Sequence, residues 1–186
     1  MVWRMKQLFM LAIEPPADLA ARIDAIRQEF AARYRCSAGL RPQVHLTLYP
    51  PFRINRIEAE VVAGKLAGWA ATQQPFTLSI PGFDCFRRNG VLFLALRDTE
   101  RLNMVYQETV RIIDPHVLPQ DRNRPFHPHI TIAKRDIPKS RLREALDEYL
   151  PRHFSETFTV DRLFFWRHNG SSWKTMEELL FQTISE

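Results

Sequence analysis

Apolar residues recur along the chain at two spacings, one of which predicts helices and the other strands. In residues 17–34 they fall three or four positions apart, which puts Leu19, Ile23, Ile26 and Phe30 on one helical face. Elsewhere they form short runs or alternate with polar residues, as strands do. This pattern predicts helices over 17–34, 57–72, 99–113 and 138–149, and strands over 6–14, 44–50, 75–83, 90–98, 127–134 and both arms of 158–181.

Turn signals connect some of these strands into hairpins. Asn89-Gly90 lies between the strands 75–83 and 90–98, and Asn169-Gly170 divides 158–181. Asn-Gly is a frequent two-residue hairpin turn, so both pairs are expected to be antiparallel. Pro50 and Pro51 are expected to end the strand 44–50. Helices that alternate with antiparallel hairpins favour the α+β class over a doubly wound parallel sheet.

The chain is expected to form one domain over residues 1–186, with two small lobes sharing one interface. An apolar content of 45% is sufficient for a substantial core. The net charge of +5 and the pI of about 9.6 weakly favour anionic partners such as phosphates or RNA. No obligate protein partner is evident.

Cysteine use and the N-terminus indicate a soluble cytoplasmic protein. Cys36 and Cys85 are the only two cysteines, and their spacing fits neither a metal site nor a disulfide framework. The apolar run over residues 8–13 is short and is followed at once by Glu14, so we interpret it as a first strand and not as a signal peptide. No apolar run approaches the roughly 20 residues of a membrane span.

Two segments carry the same unusual arrangement of polar side chains. In HLTLYPPF, His45 and Thr47 alternate with leucines, and in HPHITIAKR, His129 and Thr131 alternate with isoleucines. Because strand side chains alternate between faces, each strand presents an imidazole and a hydroxyl on one face and packs through the other. The arrangement occurs once in each half of the chain, which is consistent with two related lobes.

Two imidazoles and two hydroxyls suit the cleavage of a phosphodiester. One histidine takes a proton from the attacking oxygen, and the other gives a proton to the leaving oxygen on the opposite side of phosphorus. A pKa of about 6.5 allows histidine to fill either role near neutral pH. The hydroxyls of Thr47 and Thr131 can donate to the non-bridging oxygens. This chemistry requires the two imidazoles to flank one phosphorus atom, and we expect His45 and His129 to do so by projecting from separate sheets into one shared cavity.

The two motifs resemble the paired HxTx motifs of the two-histidine (2H) phosphoesterase superfamily, the 2′-5′ RNA ligase-like (LigT-like) proteins. Phe126 and the Pro128-His129 pair fit the resemblance as well. It implies a bilobal α+β fold in which two mostly antiparallel sheets face a central groove, with helices packed outside. It also implies hydrolysis of 2′,3′-cyclic nucleotide or RNA-end phosphodiesters, or reversible 2′-5′ RNA ligation, without a cofactor or a metal. His45 and His129 then become the acid/base pair, and Thr47 and Thr131 bind phosphate.

Other residues near the motifs are weaker candidates for contact with a substrate. Tyr49 and Arg135 each lie an even number of residues after the motif histidine of their strand, so we expect them to share its face. There Tyr49 can stack on a base and Arg135 can hold a phosphate. The remaining candidates for the groove are Phe52, Phe126 and His127, and we place His127 in a loop. A basic cluster that can attract a polyanion, or simply be solvated, comprises Arg122, Arg124, Lys134 and Arg135.

Two alternatives remain open from the sequence. The groove can bind an RNA end or a nucleotide without catalysis, although binding alone does not need two titrating groups. His127 and His129 can also form a metal pair, but neither Asp121 nor Asp136 stands at ligand-like spacing from them. The sequence assigns neither the acid nor the base role to a particular histidine.

Overall fold

The computed structural model describes residues 5–122 and 125–182. Its helices are α1 (Ala17–Tyr34), α2 (Arg56–Ala70), α3 (Glu100–Ile113) and α4 (Lys139–Tyr149). Its strands are β1 (Gln7–Ile13), β2 (Leu46–Ile54), β3 (Phe76–Ile80), β4 (Phe83–Phe86), β5 (Val91–Leu94), β6 (Ile130–Ala133), β7 (Glu156–Val160), β8 (Arg162–His168) and β9 (Trp173–Leu180). All four predicted helices are present to within two residues at either end.

The ends and faces of the helices follow from local chemistry. Helix α2 begins with a capping box in which Asn55 accepts from the Glu58 amide and the Glu58 side chain accepts from the Asn55 amide. Helix α1 buries Leu19, Ile23 and Phe30 as the periodicity predicts. It also buries a charged residue, Arg27, which the apolar pattern does not predict.

Seven strands form one antiparallel sheet in the order β4-β5-β6-β2-β1-β8-β9, and β3 pairs with β7 in a separate two-stranded sheet. The α+β class with mostly antiparallel pairing is therefore confirmed. The hairpin β8–β9 is confirmed, but the other predicted hairpin is only partly right. Pro81 and Gly82 interrupt the segment 75–83, because proline lacks an N–H for the ladder and Gly82 has a φ of +145°. As a result β4 pairs with β5, whereas β3 pairs with β7.

We expected strand β2 to stop at its two prolines. Instead, the strand continues through them to Ile54. The register explains how the prolines are tolerated, because Tyr49 pairs with Leu11 and Phe52 pairs with Phe9. Two residues of β2, Pro50 and Pro51, thus lie opposite one residue of β1, which is the arrangement of a β-bulge. A bulge leaves backbone groups unpaired locally, so a residue without an N–H fits there.

The large sheet has two faces of different character. Leu11 of β1, Leu46 of β2 and Ile130 of β6 belong to the main core, which also contains the buried faces of the helices. On the opposite face, Met10 and Ala12 pack with Trp166 in a smaller apolar cluster. Helix α1 packs on β6 and helix α3 on β2, so the helices cover the core face.

The strands that carry the two motifs are neighbours at the centre of the sheet. Strand β6 touches β2 through a single register pair, Leu46 and Ile130. This one pair joins two halves, β4–β5–β6 and β2–β1–β8–β9, and each half contributes one motif strand. The expectation that the histidines project from separate sheets is wrong in this respect, because they belong to two halves of one sheet that are joined at a narrow seam.

Candidate active site

The antiparallel seam sets the two motifs against each other in opposite directions. Since Leu46 pairs with Ile130, continuing the register places His45 opposite Thr131 and Thr47 opposite His129. The four side chains form a square in which the histidines occupy one diagonal. In regular antiparallel pairs, residues on such a diagonal are separated by about 7–8 Å. The histidines can therefore flank one small group from two sides.

Each histidine directly precedes its strand, and the backbone carbonyl two residues earlier holds its ring. The Nδ1 of His45 lies 2.7 Å from the Gln43 carbonyl oxygen, and the Nδ1 of His129 lies 2.7 Å from the His127 carbonyl oxygen. A carbonyl can only accept, so in both rings Nδ1 carries the proton and donates. In the neutral ring Nε2 is then the basic nitrogen, and it is free to accept a proton.

Glu14 supports the first histidine from behind. Its Oε1 accepts from the Gln43 side chain at 2.9 Å and from the Trp166 indole at 3.1 Å. Gln43 binds the His45 ring through its carbonyl, and Trp166 packs edge-on against that ring with centroids 5.0 Å apart. One carboxylate therefore orders both neighbours of His45.

Aromatic rings surround the second histidine in a comparable way. The rings of Phe86 and Phe93 lie 5.2 Å and 5.1 Å from the ring of His129. Phe93 is buried without belonging to the main core, and its ring also contacts that of His127 at 6.0 Å. Each imidazole thus has an apolar flank on one side and the open face of the sheet on the other.

These surroundings disfavour the protonated form of both imidazoles. Burial lowers the pKa of His45 to about 4; the Gln43 carbonyl opposes this change, and the charges of Lys134 and Arg27 reinforce it. Burial also lowers the pKa of His129, against the opposing effect of the His127 carbonyl. An anion bound between the rings stabilises their protonated forms and raises both pKa values. Each histidine can therefore accept a proton, and can donate one once an anion is in place.

Two adjoining cavities open around the motifs. The smaller cavity has a volume of about 80 Å³, and its lining residues are Arg27, Gly39, Pro42, Gln43, His45, Thr47, Thr131 and Lys134. A large one of about 670 Å³ lies on the side of His129. Thr131 and Lys134 line both cavities, so the two spaces share a wall. The large cavity is lined by Ala38, Phe86, Asn89, Val91, His129, Thr131, Lys134, Arg135 and Asp136.

The small cavity contains hydrogen-bond donors suited to an anion. Thr47 and Thr131 supply hydroxyls, and Lys134 supplies an ammonium group whose pKa is lowered by burial and by the nearby charges of Arg27 and Arg41. The volume of about 80 Å³ is comparable to that of two or three water molecules in the liquid, at about 30 Å³ each. A tetrahedral oxyanion fits this space, whereas a nucleoside needs the larger cavity.

Two aromatic residues that we predicted for the groove lie in the core instead. A second bulge in β2 pairs Tyr49 with Leu11 and Thr47 with Ala12, which turns Tyr49 to the core face. Its hydroxyl donates to Asp114 at 2.6 Å, and its ring packs against Phe52. Phe52 is likewise fully buried. The predicted stacking of Tyr49 on a substrate and the predicted groove position of Phe52 are therefore wrong.

The other weak candidates are divided between the site and its surroundings. Arg135 lies in the turn after β6 and lines the large cavity. His127 occupies a non-strand segment, as we expected, and its ring lies 4.9 Å from that of Phe86 at the edge of the site. Phe126 stacks on Tyr106 at 4.1 Å and packs against the core, away from the cavity lining.

The basic cluster does not act as a unit. Lys134 and Arg135 line the cavities, but Arg122 donates to the Val117 carbonyl at 3.2 Å. Arg124 lies outside the described residues. Sequence reasoning missed Arg27, Phe86 and Trp166, which come from distant elements. Only the presence of an arginine on the apolar face of α1 was visible in the sequence as a signal.

Within residues 5–122 and 125–182, no three His, Cys, Asp or Glu side chains are grouped so that they can hold a metal ion. The rings of His127 and His129 are 6.5 Å apart. In the same part of the chain, no helix has the length and apolarity needed to cross a membrane.

Comparison with known proteins gives one consistent result. The family model described as the 2′-5′ RNA ligase superfamily matches residues 15–172. A putative phosphoesterase of Bacillus pumilus (strain SAFR-032) is 29% identical over 162 residues, which cover 86% of this chain and 91% of that protein.

Solved structures show the same fold. E. coli LigT complexed with 3′-AMP superposes with a TM-score of 0.69 at 20% identity, covering 96% of this chain and all of that one. The protein TT0787 of Thermus thermophilus superposes with a TM-score of 0.68 at 18% identity and covers 97% of this chain. The α+β architecture with one large and one small antiparallel sheet is therefore LigT-like.

Proposed function

The chain belongs to the 2′-5′ RNA ligase superfamily, and from this premise we propose that it is a metal-independent phosphodiesterase. Its substrate is a nucleotide or RNA end with a 2′,3′-cyclic phosphate or a 2′-5′ linkage. In ligation a 5′-hydroxyl takes the place of water as the nucleophile at the cyclic phosphate, and the reverse of that step cleaves a 2′-5′ linkage. Free Cys36 and Cys85 are compatible with action in the reducing cytoplasm.

The observation that carries this proposal is the inverted pairing of the two motifs. His45 lines the small cavity and His129 lines the large one, and the two cavities share Thr131 and Lys134. The two histidines come from neighbouring antiparallel strands, each with its Nδ1 proton held by a carbonyl. In-line displacement at phosphorus needs a base and an acid on opposite sides, and this arrangement supplies one imidazole for each. The paired hydroxyls of Thr47 and Thr131 support phosphate binding between them.

The proton balance of hydrolysis closes within these groups. The neutral Nε2 of one histidine takes a proton from water as the water oxygen attacks phosphorus. The bond from phosphorus to one ribose oxygen breaks, and that oxygen receives a proton from the Nε2 of the other histidine. Thr47, Thr131 and Lys134 stabilise the negative charge that develops on the non-bridging oxygens. The product is a phosphate monoester, and no metal takes part in any step.

The ligands of related structures support a nucleotide substrate. LigT of E. coli has been solved with 3′-AMP, NADP⁺, ATP and phosphate. All four carry a phosphate group, and three also carry a nucleoside. The two cavities of this chain match these two parts of a nucleotide in size. The small cavity has space for a phosphate, and the large cavity has space for a nucleoside.

A panel of 2′,3′-cyclic nucleotides, 2′-5′-linked dinucleotides and ADP-ribose cyclic phosphate tests the proposal in the presence of a chelator. We expect turnover by the wild type and a loss of about 10²–10⁴-fold in kcat for His45→Ala and for His129→Ala. The matched control is His153→Ala, since His153 is exposed and lies outside both cavities. Full turnover by both motif variants would show that the proposal is wrong.

The same experiment separates catalysis from simple binding. A non-catalytic module that recognises RNA ends gives saturable binding of the nucleotides and no product when enzyme exceeds substrate. Such a result would replace the catalytic proposal with the binding one. We expect product under these conditions, because a site for binding alone has no need of two imidazoles with free Nε2 atoms.

A further inference from the structure

Arg27 is a charged residue on the buried face of helix α1. Its side chain is only 2% exposed, between core residues such as Ile23 and Phe30 on the same face. A buried charge is costly unless it is paired and hydrogen-bonded. The only carboxylate in contact is that of Asp24, at 3.3 Å, among the ion pairs of the described chain. The position therefore needs an explanation other than core packing.

The guanidinium binds the segment that leads into the first motif. Its Nη2 donates to the Gly39 carbonyl and, at 2.7 Å, to the Pro42 carbonyl. The residue after Pro42 is Gln43, whose own carbonyl accepts the Nδ1 proton of His45. A short chain of contacts thus runs from Arg27 through two consecutive residues to the ring of His45.

The same segment is held from the side of the second motif. An added Cβ at Gly39 would lie 2.6 Å from the Ile132 carbonyl oxygen of β6, so the backbones are in direct contact there. The Asp136 carboxylate accepts the amides of Ser37 and Ala38 at 2.7 Å each. The segment from Ser37 to Gln43 therefore bridges both motif strands, and Arg27 is its anchor on the helix.

Arg27 also lines the small cavity. It does so together with Lys134, His45 and both motif threonines. Its Nε is buried and has no hydrogen-bond partner among the described residues. Two cations thus lie beside one enclosed space, where their fields are screened far less than in bulk water.

We propose that Arg27 is a positioning residue of this site, which fixes the carbonyls that orient His45 and adds a second positive charge next to the bound phosphate. This inference rests on the proposed phosphodiesterase function. It assigns a role in the site to a helix residue that is distant from both motifs in sequence.

The charged groups around His45 determine what removal of Arg27 does to its protonation. Lys134, Arg27 and His129 each lower the pKa of His45, and burial lowers it most. Glu14 is connected to the ring only through Gln43 and Trp166. Loss of the Arg27 charge removes one contribution that opposes protonation, so the pKa of His45 should rise.

The test compares Arg27→Met, Arg27→Lys and the control Arg33→Met, since Arg33 is an exposed arginine on the same helix that pairs with Glu148. We measure unfolding temperature, histidine pKa values by NMR, the affinity for inorganic phosphate, and kcat and KM for a cyclic nucleotide. Arg27→Met should raise the pKa of His45, weaken phosphate binding on the order of tenfold, and lower kcat by about 10–100-fold. The Arg33→Met variant should match the wild type.

Arg27→Lys separates charge from position. It retains the positive charge, so the pKa of His45 should stay near the wild-type value, whereas kcat should still fall because a single ammonium does not reproduce the guanidinium geometry. A purely structural Arg27 would lower the unfolding temperature of both variants and leave pKa, phosphate affinity and kcat unchanged, which overturns the inference. If Arg27→Met does not fold, wild-type kcat in Arg27→Lys overturns it.

Failure of the proposed function gives a different result. In that case the wild type turns over none of the cyclic substrates. The pKa of His45 and the affinity for phosphate still report on Arg27, because neither measurement needs turnover. If the pKa of His45 and the affinity for phosphate are unchanged in Arg27→Met, that result contradicts only the role proposed for Arg27.

Discussion

Gly39 is the point at which the segment before the first motif touches the strand of the second, and Gly39→Ala tests that contact. The new Cβ would lie 2.6 Å from the Ile132 carbonyl oxygen and 3.2 Å from the Ala133 Cα. Both neighbours are backbone atoms of β6, immediately after Thr131. Neither can rotate away as a side chain can, so either the strand or the segment must move.

The size of the effect follows from two opposing contributions. Overpacking of this kind costs about 1–3 kcal/mol of folding free energy. Replacing glycine by alanine at a compatible backbone conformation stabilises by about 0.4–1 kcal/mol through the unfolded state. The net expectation for Gly39→Ala is therefore a loss of about 1–2 kcal/mol. In a chain of this size that corresponds to a fall of about 2–8 °C in Tm.

Gly64→Ala is the matched control. Gly64 lies in the exposed middle of α2, and an added Cβ there meets nothing within 4 Å. Helix propensity alone should stabilise this variant by about 0.8–1 kcal/mol. Calorimetry should thus show Tm changes of opposite sign for the same chemical substitution.

Activity provides the second measurement. A displaced segment moves the Gln43 carbonyl and with it the ring of His45. A displacement of about 1 Å at a catalytic group can lower the rate about 100-fold, so kcat on a cyclic substrate should fall for Gly39→Ala and stay unchanged for Gly64→Ala. If Gly39→Ala were as stable and as active as Gly64→Ala, the inferred contact between the segment and β6 would be refuted.

Two further expectations follow from buried groups. Tyr49→Phe removes the hydroxyl that donates to Asp114, so urea unfolding should show a loss of about 1–3 kcal/mol, while unchanged KM would confirm that Tyr49 contacts no substrate. The pKa of His45 is about 4 in the folded chain and about 6.5 when unfolded. The unfolded state therefore binds more protons in this window. The stability that neutral His45 contributes is fully present above the unfolded pKa, and it is lost as the pH falls towards and through the folded pKa. Wild type should lose more stability than His45→Gln between about pH 7 and about pH 5, and equal losses would contradict the lowered pKa of His45 in the folded chain.

The local patterns of the sequence are reliable guides where one element decides its own structure. Apolar spacing predicts all four helices, and the alternation of His45 and Thr47 with leucines correctly predicts which side chains face the core. The turn at Asn169-Gly170 predicts the β8–β9 hairpin. These features depend on side-chain periodicity and turn chemistry within a few residues, which are properties of the sequence itself.

The prediction that alternate residues of a strand share one face fails where a neighbouring strand changes the register. Tyr49 was predicted on the same face as Thr47, but a bulge in β2, opposite β1, turns it into the core. The same pairing lets Pro50 and Pro51 remain inside a strand. A bulge is a property of two strands together, so the sequence of one strand does not reveal it.

The sequence by itself determined which polar groups the two motif strands display, because two His-x-Thr motifs on strand-like segments already specify those side chains. Only the tertiary structure decided how they meet, with β2 and β6 joined through Leu46 and Ile130 and the two motifs running in opposite directions. The tertiary structure also brought three residues to the site from distant elements. Arg27 lines the small cavity, Trp166 packs against the ring of His45, and Phe86 packs against the ring of His129. The physical reason is that side-chain display depends on local backbone geometry, whereas strand order and long-range contacts depend on how the whole core packs.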